Sequence, residues 1–339
     1  YFWQFWHTIL ISHFKFYCSM KNLRQSIIVV LAIIVIGTPY FVSIYPNAVK
    51  KLDSIFSYIV NNYTAVFLHT PVITVAQLKD KYENIRRNDD RIRILIMPGH
   101  EPDYGGTEYL DLKERDMTVD LANELNNNFR NNKKFEIINA RDKDNWNPIL
   151  DKYFRDNWSD IISFLEQRKN ETLLSLNSGK IFKVNDGIIH NNARLDVAYR
   201  LFGINKWVNE NKIDMAIHIH FNDYPRKNTS KPGIYSGFAV YIPENQYLNS
   251  STTKSIAKSV FNRLNKYNTV SNLPNEEQGI IEEQSLIAIG ANNTLDVPSM
   301  LIEYGYIYEP RFTDQKLYNF SIKDLALQTY LGIEDFFNE

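Results

Sequence analysis

The stretch that decides the fold is residues 213–222, which read Ile-Asp-Met-Ala-Ile-His-Ile-His-Phe-Asn. Successive side chains of a strand point to opposite faces, so His218, His220 and Asn222 share one face, while the other face is apolar from Met215 onward. This alternation predicts a strand that ends near the histidines. Two imidazoles on one strand face indicate a pair of ligands built into the fold.

Hydrophobic periodicity on either side of this strand alternates between strands and helices. Strands are predicted at 92–96, 135–138, 234–242 and 297–304, and helices at 114–130, 147–168, 191–207, 251–267 and 322–337, with a polar loop at 170–190. Strands that alternate with helices indicate an α/β fold. We therefore expect a mixed, mostly parallel sheet flanked by helices.

Three further segments carry side chains that suit a metal site. His100 follows the apolar run that begins at Ile92, and in open α/β sheets ligands collect at the carboxyl ends of strands. Glu114 heads the inward stripe of its predicted helix, where an unpaired carboxylate would be unfavourable. Glu303 lies in a strand that is otherwise so apolar that its carboxylate needs a partner or a role.

Each of these residues also has an ordinary structural explanation. A lone histidine after a strand, such as His100, is more often structural. An acidic residue such as Glu114 is favoured at a helix N-terminus even when it faces solvent. Glu108 is a nearby alternative to Glu114, and His218 is equally well explained as a core histidine. Taken singly, the residues leave both interpretations open.

Taken together, the four segments resemble the zinc-dependent N-acetylmuramoyl-L-alanine amidases of the Amidase_3 type. The matching motifs, in the family's order, are Pro98-Gly99-His100, Lys113-Glu114-Arg115, Ile219-His220-Phe221-Asn222 and the segment 298–306, Pro-Ser-Met-Leu-Ile-Glu-Tyr-Gly-Tyr. The resemblance implies that His100, Glu114 and His220 bind one Zn²⁺ per chain and leave one coordination place free. It also implies that Glu303 is the catalytic base and acid.

The reaction that the resemblance implies is hydrolysis of the amide bond between N-acetylmuramic acid and L-alanine of peptidoglycan stem peptides, in cell-wall remodelling or cell separation. His218 stands where the family has serine, so His218 and Asn222 are candidates for orienting His220 or for binding substrate. Arg194 and Arg200 are both candidates for an arginine that the family carries in the preceding helix.

One departure from the family pattern affects the loop after the first histidine. Glu101 and Pro102 follow His100, whereas the family has glycines there. The ligand itself is kept, but the conformation of the loop is left open.

Composition excludes two classes of function. Lys and Arg number 38 against 39 Asp and Glu, so there is no basic excess to indicate a nucleic-acid partner. Cys18 is the only cysteine. The chain can therefore form no intramolecular disulfide, and a thiolate zinc site is excluded for the rest of the chain.

An uncharged run at residues 26–44 predicts a transmembrane anchor, because its length at about 1.5 Å per residue matches the hydrocarbon thickness. Lys21 and Arg24 precede it, so the positive-inside rule places residues 1–25 in the cytoplasm, unless Met20 is the true start and the residues before it are non-native. We expect a single-pass protein of the cell membrane with an extracytoplasmic catalytic domain, or a secreted one if the segment is a cleaved signal peptide.

The rest of the chain is predicted to hold a linker and one domain. Residues 45–90 are predicted to be a stalk or linker with short helices, and residues 91–339 the zinc amidase catalytic domain. The section near 141–190 is longer than in compact members of the family, which indicates an insertion.

An acidic segment late in the chain raises the question of regulation. It contains Glu276, Glu277, Glu282 and Glu283. In some members of the family an inserted helix blocks the metal with an acidic residue, and this segment could do the same. A solvated acidic loop is the preferred interpretation.

Two other functions stay open at this point. One is a zinc peptidase or other amidohydrolase with a non-wall substrate. The other is an inactive membrane-anchored wall-binding module, although the presence of all four site residues argues against it. The expected partners are peptidoglycan and, through the N-terminal helix, the membrane; a regulatory protein is left open.

Overall fold

The computed structural model describes residues 72–85, 91–184, 193–224, 226 and 228–339. The strands in these ranges are β1 (Ile92–Pro98), β2 (Glu108–Tyr109), β3 (Leu112–Lys113), β4 (Phe135–Asn139), β5 (Met215–Asn222), β6 (Ala239–Pro243), β7 (Ile280–Glu283) and β8 (Ser299–Tyr306). The helices are α1 (Val75–Glu83), α2 (Glu114–Phe129), α3 (Pro148–Asp156), α4 (Trp158–Asn177), α5 (Leu195–Glu210), α6 (Ser250–Leu264), α7 (Pro310–Thr313) and α8 (Gln315–Asn338).

Six of these strands form one sheet in the order β4-β1-β5-β8-β6-β7. Strands β4, β1, β5 and β8 are parallel, while β6 runs antiparallel to β8 and β7 runs parallel to β6. The prediction of a mixed, mostly parallel sheet is confirmed. Because β1, β5 and β8 are parallel neighbours, their carboxyl ends meet at one edge of the sheet.

Helices cover both faces of the sheet. The side chains of β1 point alternately to the two faces, and those on each face are buried by a different set of helices. Ile92, Ile94 and Ile96 join an apolar cluster with residues of α2, α6 and α8. Leu95 and Met97, on the other face, pack with residues of α3, α4 and α5. Burial on both faces explains why the strand is apolar along nearly its whole length.

Two predicted elements differ in extent because of local backbone chemistry. The strand expected at 234–242 begins only at Ala239, since Gly237 has φ 96° and its N–H donates to the Glu309 side chain at 3.0 Å. The expected helix at 147–168 is broken at Asn157, which ends α3 and precedes α4.

Two helices extend beyond their predicted limits, and one strand was not predicted. Helix α4 continues to Asn177, so the first part of the polar loop predicted at 170–190 is helical. Helix α8 begins at Gln315, ahead of the predicted residue 322, because the Asp314 side chain accepts a hydrogen bond from the Lys316 N–H. Strand β7 was not predicted from the sequence.

The described part of the predicted linker, residues 72–85, packs on the core of the domain. Thr74 and Gln77 form a capping box that starts α1. Leu78 and Tyr82 on this helix are buried, and the Tyr82 ring stacks on Phe337 of α8 at a centroid distance of 4.5 Å. This segment is therefore part of the packed structure.

The predicted anchor at 26–44 and the preceding residues 1–25 lie outside the described residues. Within the ranges that are described, no helix is both long enough and apolar enough to cross a membrane.

Candidate metal centre

His100 lies just beyond the carboxyl end of β1. The N–H of Gly99 donates to the Ile219 carbonyl at 2.9 Å, which continues the pairing of β1 with β5. His100 then takes φ 68°, a left-handed conformation that is uncommon outside glycine. A Cβ on Gly99 would lie 2.5 Å from the ring of His220, so glycine at this position lets the imidazole rest against the backbone.

Glu114 is the first residue of α2, and the short hairpin β2–β3 leads the chain to it. Its backbone N–H donates to the Thr107 carbonyl at 2.9 Å, while its Oε2 accepts from the Thr107 N–H at 3.0 Å. Its Oε1 accepts from the N–H of Phe221 at 3.1 Å. These contacts hold a carboxylate that is only 4% exposed.

The structure brings His100, Glu114 and His220 together. Oε1 of Glu114 lies 2.8 Å from Nε2 of His100 and 3.0 Å from Nδ1 of His220. The ligand-type atoms of the three residues all lie within 4.8 Å of one another. The ring planes of the two histidines are nearly perpendicular, at 74°.

The pKa values of Glu114 and His220 are shifted in the directions that metal binding needs. Burial disfavours the charge of Glu114, but His100 and His220 outweigh it and hold the pKa of Glu114 well below its usual range. Burial lowers the pKa of His220, against the opposing effect of Glu114. An ionised carboxylate beside neutral imidazole is the state in which these groups act as ligands.

The donor set and its spacing fit a zinc ion. Two imidazole nitrogens and one carboxylate oxygen are a known catalytic ligand set for zinc, and tetrahedral ligands at about 2.0–2.1 Å lie roughly 3.4 Å from one another. The 2.8 and 3.0 Å separations approach this value. Nε2 of His100 is buried, and the polar atom beside it is Oε1 of Glu114, an arrangement that suits two ligands of one metal ion.

Glu303 lies on β8 directly opposite His220 on β5. Its Oε2 is buried and has no hydrogen-bond partner in the described structure. Burial raises the pKa of Glu303 well above its usual range, and the neighbouring carboxylates of Glu114 and Glu276 raise it further. A carboxyl group with a raised pKa is suited to accept and release a proton near neutral pH.

His218 and Asn222 share the strand face of His220 but do not join the ligand group. His218 is buried beneath the site, where burial and then His220 lower its pKa to about 3. Its Nε2 has no hydrogen-bond partner among the described residues. Asn222 ends β5, and its carbonyl accepts a hydrogen bond from the N–H of Ile307 at 3.0 Å.

The two candidate arginines lie in the first turns of α5, Arg194 directly before the helix and Arg200 within it. Arg200 donates to Glu101, the residue after His100, at 2.9 Å. Arg194 is exposed, pairs with Asp196 at 3.3 Å and lies over the ring of Tyr104. Both contact the loop after His100, and Arg200 contacts the residue next to the histidine.

The alternative ligand Glu108 points away from the metal group. It is exposed and forms an ion pair with Arg115 at 2.7 Å. Among the described residues, the group that could hold a metal contains Glu114.

The acidic segment differs from the expected solvated loop. Glu276 and Glu283 are buried, and Glu282 lies in β7 and pairs with Lys254 at 2.7 Å; of the four, Glu277 is the one that is exposed. The hydroxyl of Tyr241 donates to Oε1 of Glu276. Glu283 is paired as well, because its Oε1 accepts from the N–H and the hydroxyl of Ser285 at 2.6 and 2.7 Å.

Sequence reasoning missed Tyr241 and Arg141, and it considered Glu276 only as a residue that could block the metal. Glu276 and Tyr241 lie near Glu303, and the buried Arg141 contacts the loop before His100. The sequence carries one weak signal for them, the acidic cluster around Glu276. Arg141 gives no signal, because a buried arginine is indistinguishable from an exposed one in a single sequence.

A comparison with protein families decides the class of enzyme. The family model described as N-acetylmuramoyl-L-alanine amidase matches residues 94–335. The chain belongs to this family. The amidase is therefore an enzyme that hydrolyses the amide bond between N-acetylmuramic acid and L-alanine of peptidoglycan, and the resemblance drawn from its motifs is confirmed.

Three solved structures of amidases are similar to this chain. The CwlD amidase from Clostridioides difficile, in complex with the GerS lipoprotein, is 16% identical over 73% of this chain and 99% of that chain, with a TM-score of 0.47. Ami1 from Mycobacterium smegmatis is 13% identical over 73% and 97%, also at 0.47. The catalytic domain of CwlV from Bacillus (Paenibacillus) polymyxa is 14% identical over 73% and 98%, at 0.44. No curated protein matches the amidase.

Proposed function

We propose that the amidase is zinc-dependent, with one Zn²⁺ per chain held by His100, Glu114 and His220 and with Glu303 as the base and acid. The observation that carries this proposal is the convergence of three metal-ligand atoms beside a buried carboxyl group of raised pKa. Two histidines and one glutamate leave a fourth coordination position free for catalysis.

Zinc bound at this site supplies a Lewis acid that lowers the pKa of a water molecule to about 7 and stabilises negative charge on the carbonyl oxygen of the substrate. The protein supplies the rest. The backbone N–H groups of Thr107 and Phe221 each donate to one oxygen of Glu114, so the backbone would orient the carboxylate for the ion.

Glu303 handles the proton in the proposed reaction. Its Oε2 accepts a proton from the attacking water and then delivers that proton to the nitrogen of the departing L-alanine. Burial raises the pKa of the Glu303 carboxyl group, so the group can hold the proton between the two steps. The peptide amine then leaves in its neutral form.

A role in cell-wall remodelling or cell separation follows from the substrate. We place the enzyme at the outer side of the cell membrane, anchored through residues 26–44, on the strength of the uncharged run and of Lys21 and Arg24 before it. Fractionation of cells that make the full chain tests this: membrane association that survives high salt supports an anchor, and release of a shortened soluble form supports a cleaved signal peptide.

The test of the zinc proposal measures metal content and stem-peptide release from purified cell wall by the full chain. We expect about one zinc per chain in the wild type and in Glu303→Ala, with stem peptides bearing a free alanine amine released only by the wild type. Chelation should stop the release, and added zinc should restore it. A wild type that binds no zinc, or a Glu303→Ala variant of unchanged activity, would contradict the assignment.

A further inference from the structure

The backbone at His100 needs support from its surroundings. Its φ of 68° places a non-glycine residue in the strained left-handed region. Such a conformation persists only when neighbouring groups hold the residues on either side of it. The structure contains contacts to the carbonyl before His100 and to the side chain of the residue after it.

Arg141 holds the peptide plane before His100. Its guanidinium is 2% exposed, donates from Nε to the Pro98 carbonyl at 3.2 Å and from Nη2 to the Gly99 carbonyl. The same Nη2 also donates to the carbonyl of Arg115 at 2.9 Å. One side chain thus connects the residues before His100 with the residue that follows Glu114.

Glu101, the residue after His100, is anchored through its side chain. It is 5% exposed, and its two oxygens have separate donors. Oε2 accepts from the indole N–H of Trp146 at 3.0 Å, and Oε1 accepts from Nε of Arg200 at 2.9 Å. The charge of this buried carboxylate is thereby paired, as burial requires.

Arg141 and Trp146 belong to one short loop, residues 140–147, which we call the support loop. It is tied to β1 by the hydrogen bond from the Ala140 N–H to the Ile96 carbonyl at 2.9 Å. It closes on itself, because Arg141 pairs with Trp146 as an isolated bridge and the Asp142 side chain accepts from two N–H groups of the turn. Arg141 and Trp146, the two residues that contact the segment around His100, therefore lie in a loop that is itself held by hydrogen bonds.

We propose that the support loop, together with Arg200, holds His100 in its metal-binding position, so that Glu101, Arg141, Trp146 and Arg200 are positioning residues of the metal centre. This inference rests on the proposed zinc site. It also gives a role to Glu101, which replaces a glycine of the family pattern. A metal requires its ligands within roughly 0.2 Å of their ideal distances, and partners that orient ligands typically contribute 10- to 100-fold to metal affinity.

The experiment compares two tryptophans of the same region in the full chain. Trp146→Phe keeps an aromatic ring and removes the donor to Glu101. Trp158→Phe is the matched control, since Trp158 packs on Tyr199 and makes no bond to the His100 loop. Glu101→Ala removes the hydrogen bonds from both Trp146 and Arg200, and Glu101→Gln keeps the shape of the side chain.

Zinc affinity is measured by competition with a chromophoric chelator, alongside the thermal stability of the metal-free protein. We expect zinc to bind Glu101→Ala about 10- to 100-fold more weakly and Trp146→Phe severalfold more weakly. Trp158→Phe should stay within twofold of the wild type, and Glu101→Gln should lie between. Excess zinc should restore kcat of Trp146→Phe toward the wild-type value with KM unchanged, which a general loss of folding would not do.

Equal zinc affinity in the wild type, Trp146→Phe and Glu101→Ala would overturn this inference while leaving the zinc site intact. The same weakening in Trp158→Phe would also overturn it, because the effect would then be general. A wild type that binds no zinc would instead contradict the proposed function and this inference with it. If Glu101→Ala does not fold, Trp146→Phe decides, since it loses a single donor.

Discussion

Replacing Gly106 with alanine should displace His100 and Glu114, the two proposed ligands that lie against this glycine. Gly106 has φ 77°, and a Cβ built there would lie 2.9 Å from Cδ2 of His100 and 3.2 Å from Oε2 of Glu114. Ordinary contact begins at 3.4 Å, so the imidazole would have to move by about 0.5 Å. That displacement exceeds the roughly 0.2 Å that a metal tolerates in its ligand distances.

A second glycine separates this steric effect from the backbone effect. Gly179 has φ 69°, close to that of Gly106, but a Cβ there meets nothing within 4 Å. Alanine in the left-handed region costs about 1–2 kcal/mol at either position. Both variants should therefore lose similar stability from the backbone, and only Gly106→Ala should also displace His100.

The assays are zinc competition with a chelator and urea unfolding of the metal-free full chain. We expect Gly179→Ala to lose about 1–2 kcal/mol of unfolding free energy with unchanged zinc affinity. Gly106→Ala should lose at least as much stability and bind zinc about tenfold more weakly or worse. If Gly106→Ala binds zinc as tightly as Gly179→Ala does, the ligands can adjust freely, and the argument from close approach is refuted.

Two further predictions concern buried polar groups near the site. His218→Leu should keep about one zinc per chain and have equal or higher unfolding free energy, because it removes a buried nitrogen that has no partner among the described residues. Loss of zinc in this variant, measured by metal analysis, would show that His218 is a ligand. Tyr241→Phe should lower the unfolding free energy by about 1–3 kcal/mol, because Oε1 of Glu276 loses its donor. Urea denaturation checks the second prediction against Tyr224→Phe, an exposed tyrosine, and equal stability of the two variants would contradict it.

The elements that follow a regular hydrophobic period could be predicted from the sequence. Helix α2 and strand β5 lie within a residue or two of their predicted limits. The buried face of α2 imposes a period of 3.6, and the side chains of β5 alternate in type with a period of 2 although both faces are buried. Strand β7 could not be predicted, since its acidic residues interrupt the apolar pattern. Its burial depends on neighbouring elements such as β6, with which it pairs.

The site was predictable to the extent that its residues sit in motifs. His100 follows β1, Glu114 begins α2, and His220 and Glu303 are paired across β5 and β8. The structure brings the first three together, with Glu303 opposite His220. The boundary of the domain was less predictable. Residues 75–83 look like a linker in the sequence, yet Leu78 and Tyr82 are buried against the core.

By itself, the sequence determined which side chains of residues 213–222 face each way and the order in which the four site motifs occur, because both depend on local spacing along the chain. The tertiary structure decided the rest. The strand order β1-β5-β8-β6 places Tyr241 near Glu303, and the fold brings Trp146 and Arg200 to Glu101. These contacts join residues 45 to 99 positions apart, so no local pattern records them. The left-handed backbone of His100 is likewise imposed by its surroundings. The sequence does not predict it, because the residue at that position is not glycine.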